Sequence, residues 1–133
     1  MNRASRRKSA RRLTRRFFRR PAERLARDLL GRVLVRITDE GDRLAGRIVE
    51  TEAYLGADDK AAHTFNGRRT QRNESMYLDG GHLYVYFTYG MHHCMNVVAG
   101  DTEAGAAVLL RAAEPIEGVD VMRSRRAGRV PED

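Results

Sequence analysis

A chain of 133 residues, 41% hydrophobic and 32% charged, has the length for one domain with a core, and it contains no apolar run near the ~20 residues that cross a bilayer. A single cysteine, Cys94, excludes an internal disulfide framework. The net charge of +7 is unevenly placed: residues 1–20 hold nine arginines and Lys8 with no acid, while residues 21–133 carry 15 basic groups against 18 acidic ones.

Residues 1–20 are therefore expected to form a basic, disordered tail, able to hold phosphates without sequence preference. The acid-free, Arg- and Ser-rich composition also fits a transit segment. No apolar stretch follows that would make it a secretory signal. Phe17-Phe18 closes the tail, and residues 21–133 form the expected folded domain. Pro21 suits a first helical turn, Leu25 and Leu29 share a face with Ala22 and Ala26, and Gly31 suits the position after the last turn. This predicts a short amphipathic helix over 21–31.

Val33–Ile37 and Leu44–Tyr54 read as two strands joined by turn chemistry at Asp39-Glu-Gly-Asp42, hence a hairpin. From Gly56 to Asp79 the pattern lapses, with one or two helical turns expected over Ala57–His63. Leu83–Tyr89 is an aromatic, β-branched strand. Gly90-Met-His-His is a turn, Cys94–Val98 a returning strand, Ala106–Arg111 a further strand, and Glu117–Arg126 a helix. The predicted class is α+β: a curved antiparallel sheet with a few flanking helices in a single, incomplete domain.

Three constellations could carry chemistry. In an extended chain Glu50, Glu52 and Tyr54 fall on one face. That arrangement suits either the solvated face of an edge strand or a pocket that holds a flat ring and activates a water. Tyr84 and Tyr86 share the next aromatic face, with Tyr84 assigned to the core, and Tyr89 falls at the end of its strand beside Gly90. His63 precedes a loop whose Arg68, Arg69 and Arg72 make either a phosphate clamp or a wet surface. Among His82, His92, His93 and Cys94 only His92 and Cys94 would share a strand face, so no metal site is expected. Lys8 and Lys60 are the only lysines, which favours water over an amine as nucleophile.

Ile48-Val-Glu-Thr-Glu-Ala-Tyr-Leu-Gly56, His63 with Thr70-Gln-Arg-Asn73, Leu83-Tyr-Val-Tyr-Phe-Thr-Tyr-Gly-Met91, Cys94-Met-Asn96 and Val108-Leu-Leu-Arg-Ala-Ala-Glu-Pro115 resemble, in order and spacing, the alkyladenine (3-methyladenine) DNA glycosylase family. The resemblance runs from about Phe18 to the end of the chain. It implies a monofunctional repair enzyme, without cofactor, that flips a damaged purine out of duplex DNA and cuts its N-glycosidic bond. It makes Glu52 the base that activates water. Tyr54 becomes one stacking face for the flipped base, with His63 and Tyr86 the other. Asn96 lies at the pocket floor, excluding the exocyclic amine of guanine, and Arg111 lies near the flipped nucleotide. Tyr89 is the side chain that enters the minor groove. DNA-backbone candidates are Arg68, Arg69, Arg72, Asn73 and Met91.

The implied partner is double-stranded DNA carrying damaged purines, for an intracellular, DNA-associated monomer (in the cytoplasm or nucleoid of a bacterium) with no membrane association. This chain departs from the family at Gln71 and in the turn at Asp79-Gly80, where the family often has proline. The family's domain continues past the position of Asp133, so part of the sheet and some DNA contacts are expected to be missing. Two other functions stay open: a damaged-DNA-binding module without catalysis, and a free-nucleoside hydrolase using Glu50 and Glu52.

Overall fold

The computed structural model describes residues 11–126. Two short helices, α1 (Arg15–Phe18) and α2 (Ala22–Leu29), lead into strands β1 (Val33–Ile37) and β2 (Arg43–Tyr54). Two 3-10 turns, Phe65–Gly67 and Glu74–Tyr77, interrupt the loop that follows. Then come β3 (Leu83–Thr88), β4 (His92–Ala99), β5 (Ala106–Glu117) and helix α3 (Val119–Arg126). The strands form one open antiparallel sheet in the order β1-β2-β5-β4-β3, which agrees with the class read from sequence. Among the described residues no helix is long and apolar enough to cross a membrane.

Helix α2 forms where the spacing of apolar residues predicted it. Its start is set by Pro21, whose carbonyl accepts from Leu25 N–H at 2.9 Å. Its end is set by Gly31, where φ of 83° reverses the chain so that its N–H reaches Ile48 O at 2.8 Å. The face Ala22, Leu25, Ala26 and Leu29 is buried against Ile48, Ala99, Ala106 and Val108. Phe17 and Phe18 of α1 pack at the edge of the same cluster.

The expected tail divides. Residues 1–10, with Lys8, lie outside the described residues. The stretch from Arg15 to Arg20, which its charge had assigned to the tail, is tied to the sheet. Gly100 N–H donates to Phe18 O at 3.0 Å, and Arg19 pairs with Asp79 at 2.7 Å. Gly80 permits that approach, because a Cβ there would lie 2.5 Å from Phe18 O.

Other boundaries shift. Strand β5 runs on to Glu117 where the sequence suggested Arg111, and the helix starts at Val119. Residues 57–63 form turns rather than a regular helix.

Two irregularities in the sheet position the site. The β2–β5 register steps at Val49 and again at Arg111, so that Ile48 opposes Ala113, Glu50 opposes Ala112 and Thr51 opposes Leu110. Such bulges bend strands and re-aim side chains. The other irregularity is a fork. Strands β4 and β5 pair only from Ala99–Ala106 to Asn96–Leu109. Beyond that row the β3–β4 hairpin continues to Thr88–His92, and the β2–β5 ribbon continues to Ala45–Glu117.

Candidate active site

Opposed residues of neighbouring strands share a face. The register therefore places Glu52, Leu109, Asn96 and Tyr84 in one row across four strands. Tyr54, Ala107 and Val98 form the row behind it. The first row is the last continuous one, so it lies at the crotch of the fork. This face is opposite the one covered by α2: Thr51 and Ala53 turn towards the helix, Thr51 donating to Ala26 O at 2.8 Å. The β1 register ends at Arg47, so Glu50–Tyr54 pairs with β5 alone and runs along a free edge of the sheet, with Glu52 exposed and Tyr54 half-buried.

Glu52 and Tyr54 meet as the alternation predicted. The Tyr54 hydroxyl donates to Glu52 Oε2 at 2.8 Å. Burial, then that hydrogen bond and the charge of Glu52, hold the phenol well above its ordinary pKa, so it stays a donor. Glu50 does not join them; it sits in the irregular step of β2, and its side chain makes no hydrogen bond or ion pair among the described residues.

Across the face stands an aromatic group. His63 Nδ1 and the Tyr84 hydroxyl are 2.7 Å apart, and the His63 ring tilts against Tyr86 with centroids 4.6 Å apart. Tyr84 is buried in the small core with Met76, Val98 and Ala107, as assigned, and its hydroxyl also orients His63. Burial lowers the His63 pKa, with Arg72 and Arg68 adding to the effect, which favours the neutral ring. Burial, then the Cys94 thiol opposite in register, push the Tyr86 phenol up to about 12.

The loop that delivers His63 is held from several sides. Asp59 accepts from Leu55 N–H and Ala61 N–H. Thr64 donates its hydroxyl to Gly105 O at 2.7 Å while fully buried. Tyr77 donates to Arg68 O at 2.6 Å. Asn73, proposed from sequence as a DNA-backbone contact, is only 4% exposed. Its amide is spent on the loop: Nδ2 donates to His63 O and Arg68 O, and Oδ1 accepts from Thr70 N–H. It is placed as a staple for the loop. Arg69 is likewise committed, paired with Glu74 and Glu103 and lying over the Tyr77 ring. All three loop arginines are exposed, and Arg68 and Arg72 line a groove. Arg72 also donates to Phe87 O at 3.1 Å.

Tyr54, His63, Tyr86 and Asn96 line one recess, together with Ala61, Met76 and Tyr84. Four of the five base-pocket candidates are thus assembled. Arg111 is not: it is exposed on the ribbon arm, at the bulge, and does not line the recess. Asn96 is 2% exposed and donates through Nδ2 to Tyr84 O at 3.2 Å. A carbonyl partner fixes the amide orientation and leaves Oδ1 as an acceptor. The recess is narrow, holding about 10 Å³, which is the room of one water. A purine ring enters only if Tyr54 and the His63–Tyr86 pair move apart. A groove of about 520 Å³ opens beside it, sharing Ala61, His63, Tyr84 and Tyr86.

At the far end of the hairpin arm Tyr89 is 90% exposed, next to Met91 at 57%. Tyr89 holds φ of 52° and Gly90 φ of 66°. Among the described residues no group of three His, Cys, Asp or Glu side chains is placed to hold a metal ion.

The residues that sequence reasoning left out are Ala61, Met76 and Phe65. The first two pack the recess, and Phe65 stands on the rim of the groove. They carry no motif, and only the return of the loop over the sheet shows their place.

Comparison with known proteins gives a consistent result. The family model described as "Methylpurine-DNA glycosylase (MPG)" matches residues 16–133. The human protein named "DNA-3-methyladenine glycosylase" is 56% identical over 112 residues, 84% of this chain and 37% of that protein. The mouse protein of the same name is 56% identical over 110 residues, 83% of this chain and 32% of that protein. A relative from Clostridium botulinum is 50% identical over 114 residues, 86% of this chain and 56% of its own length. The chain thus spans between about a third and just over half the length of these relatives.

Proposed function

The chain belongs to the methylpurine-DNA glycosylase family, and from this we propose that it excises damaged purines from double-stranded DNA and leaves an abasic site. Its substrates are alkylated or deaminated purines of the 3-methyladenine, 7-methylguanine and hypoxanthine type, and it works inside the cell on DNA. What carries the reading is the recess with Tyr54 on β2, His63 and Tyr86 on the facing elements, and Glu52 hydrogen-bonded to Tyr54 at its edge.

A base turned out of the duplex loses stacking worth a few kcal/mol and needs new surfaces. Tyr54 supplies one, and the neutral His63 with Tyr86 supplies the other. Tyr89, exposed on a tight turn, fills the gap left in the duplex as a wedge. Arg68, Arg72 and Met91 lie along the duplex backbone. The free Oδ1 of Asn96 accepts at the pocket floor and leaves no room for the amine of guanine.

Cleavage breaks the C1′–N bond, whose electron pair leaves with the base. The sugar becomes oxocarbenium-like, and the Glu52 carboxylate stabilises that charge. Tyr54 occupies Oε2 of Glu52, so Oε1 holds the water. The water oxygen bonds to C1′ while its proton passes to Glu52. A purine alkylated at N3 or N7 carries a positive charge and departs as a neutral base, whereas hypoxanthine takes a proton from solvent as it leaves.

Single-turnover release of 3-methyladenine and hypoxanthine from a short duplex tests this. The wild type should release base, and Glu52→Gln should be slower by about 10²–10⁴-fold while still binding a duplex with an abasic analogue. A second reading, a damaged-DNA-binding module without turnover, is favoured by the narrowness of the recess. It predicts binding to the analogue and no release from either protein.

A further inference from the structure

A groove lies beside the recess. At about 520 Å³ it is in the range of small-molecule sites. Lys60, Arg68 and Arg72 are in its lining, and no carboxylate is. Asp58 and Asp59 precede Lys60 on the loop without pairing with it, and Glu74 and Glu103 are paired with Arg69, so Lys60, Arg68 and Arg72 make no ion pair among the described residues.

Phe65 stands on the same rim, 40% exposed, in the 3-10 turn Phe65–Gly67. Thr88 adds a hydroxyl at the end towards the hairpin tip. Phe87 contributes only main chain here: its carbonyl accepts from Arg72, while its ring packs on His93 across the strand pair. An exposed aromatic among uncompensated cations is the pairing used to bind unpaired nucleotides, by stacking on the base and neutralising the phosphate. The groove also shares four residues with the recess, so the two cavities adjoin.

We infer that this groove is a second nucleotide subsite. It takes the nucleotide next to the lesion on the same strand, with Lys60, Arg68 and Arg72 around its phosphodiester and Phe65 against its base. This rests on the glycosylase reading for what fills the recess. It assigns Lys60 to a phosphate rather than to covalent chemistry.

The test uses the full chain and fluorescent duplexes that hold a stable abasic analogue, either intact or with one neighbouring nucleotide omitted, on the 5′ side or the 3′ side. Omission on one side should weaken wild-type binding about tenfold, and omission on the other side much less. The Lys60→Ala/Phe65→Ala double variant, with an unchanged circular dichroism spectrum, should bind the intact and gapped duplexes equally. The subsite is overturned if the double variant keeps the full difference, or if neither omission affects the wild type. Base release from a lesion-bearing duplex is measured separately. Release without the one-sided difference removes only the subsite; the difference without release removes only the glycosylase.

Discussion

Asn73 holds His63 by its main chain: the amide Nδ2 lies 3.1 Å from His63 O and 3.0 Å from Arg68 O. The same side chain takes Thr70 N–H at 2.7 Å. Three backbone groups of one loop therefore depend on a single buried amide. Replacing it by alanine leaves them without a partner, at about 1–3 kcal/mol each less whatever water recovers. Asn73→Ala should lose about 3 kcal/mol in urea unfolding, and the His63 ring should become mobile. A loss below ~0.5 kcal/mol would show that the loop is held elsewhere.

The depressed pKa of His63 gives stability a definite pH dependence. Burial is the main cause, followed by Arg72 and then Arg68. Above the ordinary value of 6.5 both folded and unfolded chains carry a neutral ring, and the contribution is complete. As pH falls below 6.5 the unfolded chain takes the proton first, and stability is lost until the folded pKa is passed. Urea unfolding between pH 7.5 and 5 should show this slope, reduced in His63→Gln. In Arg72→Gln the ring resonances of His63 should titrate closer to 6.5. An unchanged titration there would remove Arg72 as a cause.

Arg68 and Arg69 are adjacent in sequence and differ in fate, so they separate backbone contact from architecture. Arg69 is paired with Glu74 and Glu103; Arg68 lines the groove and makes no ion pair among the described residues. Each phosphate contact adds about one unit to the dependence of log affinity on log salt. Arg68→Ala should lower that slope by about one. Arg69→Ala should leave it unchanged and lower the thermal midpoint instead. The assignment fails if the two variants exchange these effects.

Sequence legibility followed the range of the interactions. Helix α2, the β1–β2 hairpin and the Tyr84–Tyr86 face depend on neighbours within a few residues, and their periodicity was readable. The Glu52–Tyr54 pair is two residues apart on one strand and was readable for the same reason. The bulges at Val49 and Arg111 were not, because register is set by the partner strand. The expected row of Glu50, Glu52 and Tyr54 breaks at that point, and Arg111 is carried away from the recess with it. Asn73 and Arg69 looked like surface groups because their partners, His63 O and Glu103, meet them only once the loop folds over the sheet. Motifs marked which residues matter in the loop, and burial separated those facing outward from those holding it together.

Tyr89 carries a conformational cost that the turn itself does not require. Tyr89 and Gly90 both have positive φ, and Met91 N–H closes the turn on Thr88 O at 3.2 Å. Tight hairpins of this kind favour Asn-Gly, since a bulky L-residue in the left-handed region costs about 1–2 kcal/mol. At 90% exposure the ring recovers little of that by burial. Tyr89→Gly should therefore keep or raise stability by up to about 1 kcal/mol in urea unfolding. On the proposed wedge role, its affinity for an abasic-analogue duplex should fall at least about tenfold. Tyr89→Asn should behave alike in stability and in binding, whereas Tyr89→Phe should retain binding. Loss of stability in Tyr89→Gly would mean that the ring supports the hairpin. Unchanged binding would mean that nothing in the duplex needs it. Stability kept or gained, combined with a loss in binding, accounts for a tyrosine held exposed at positive φ at the tip.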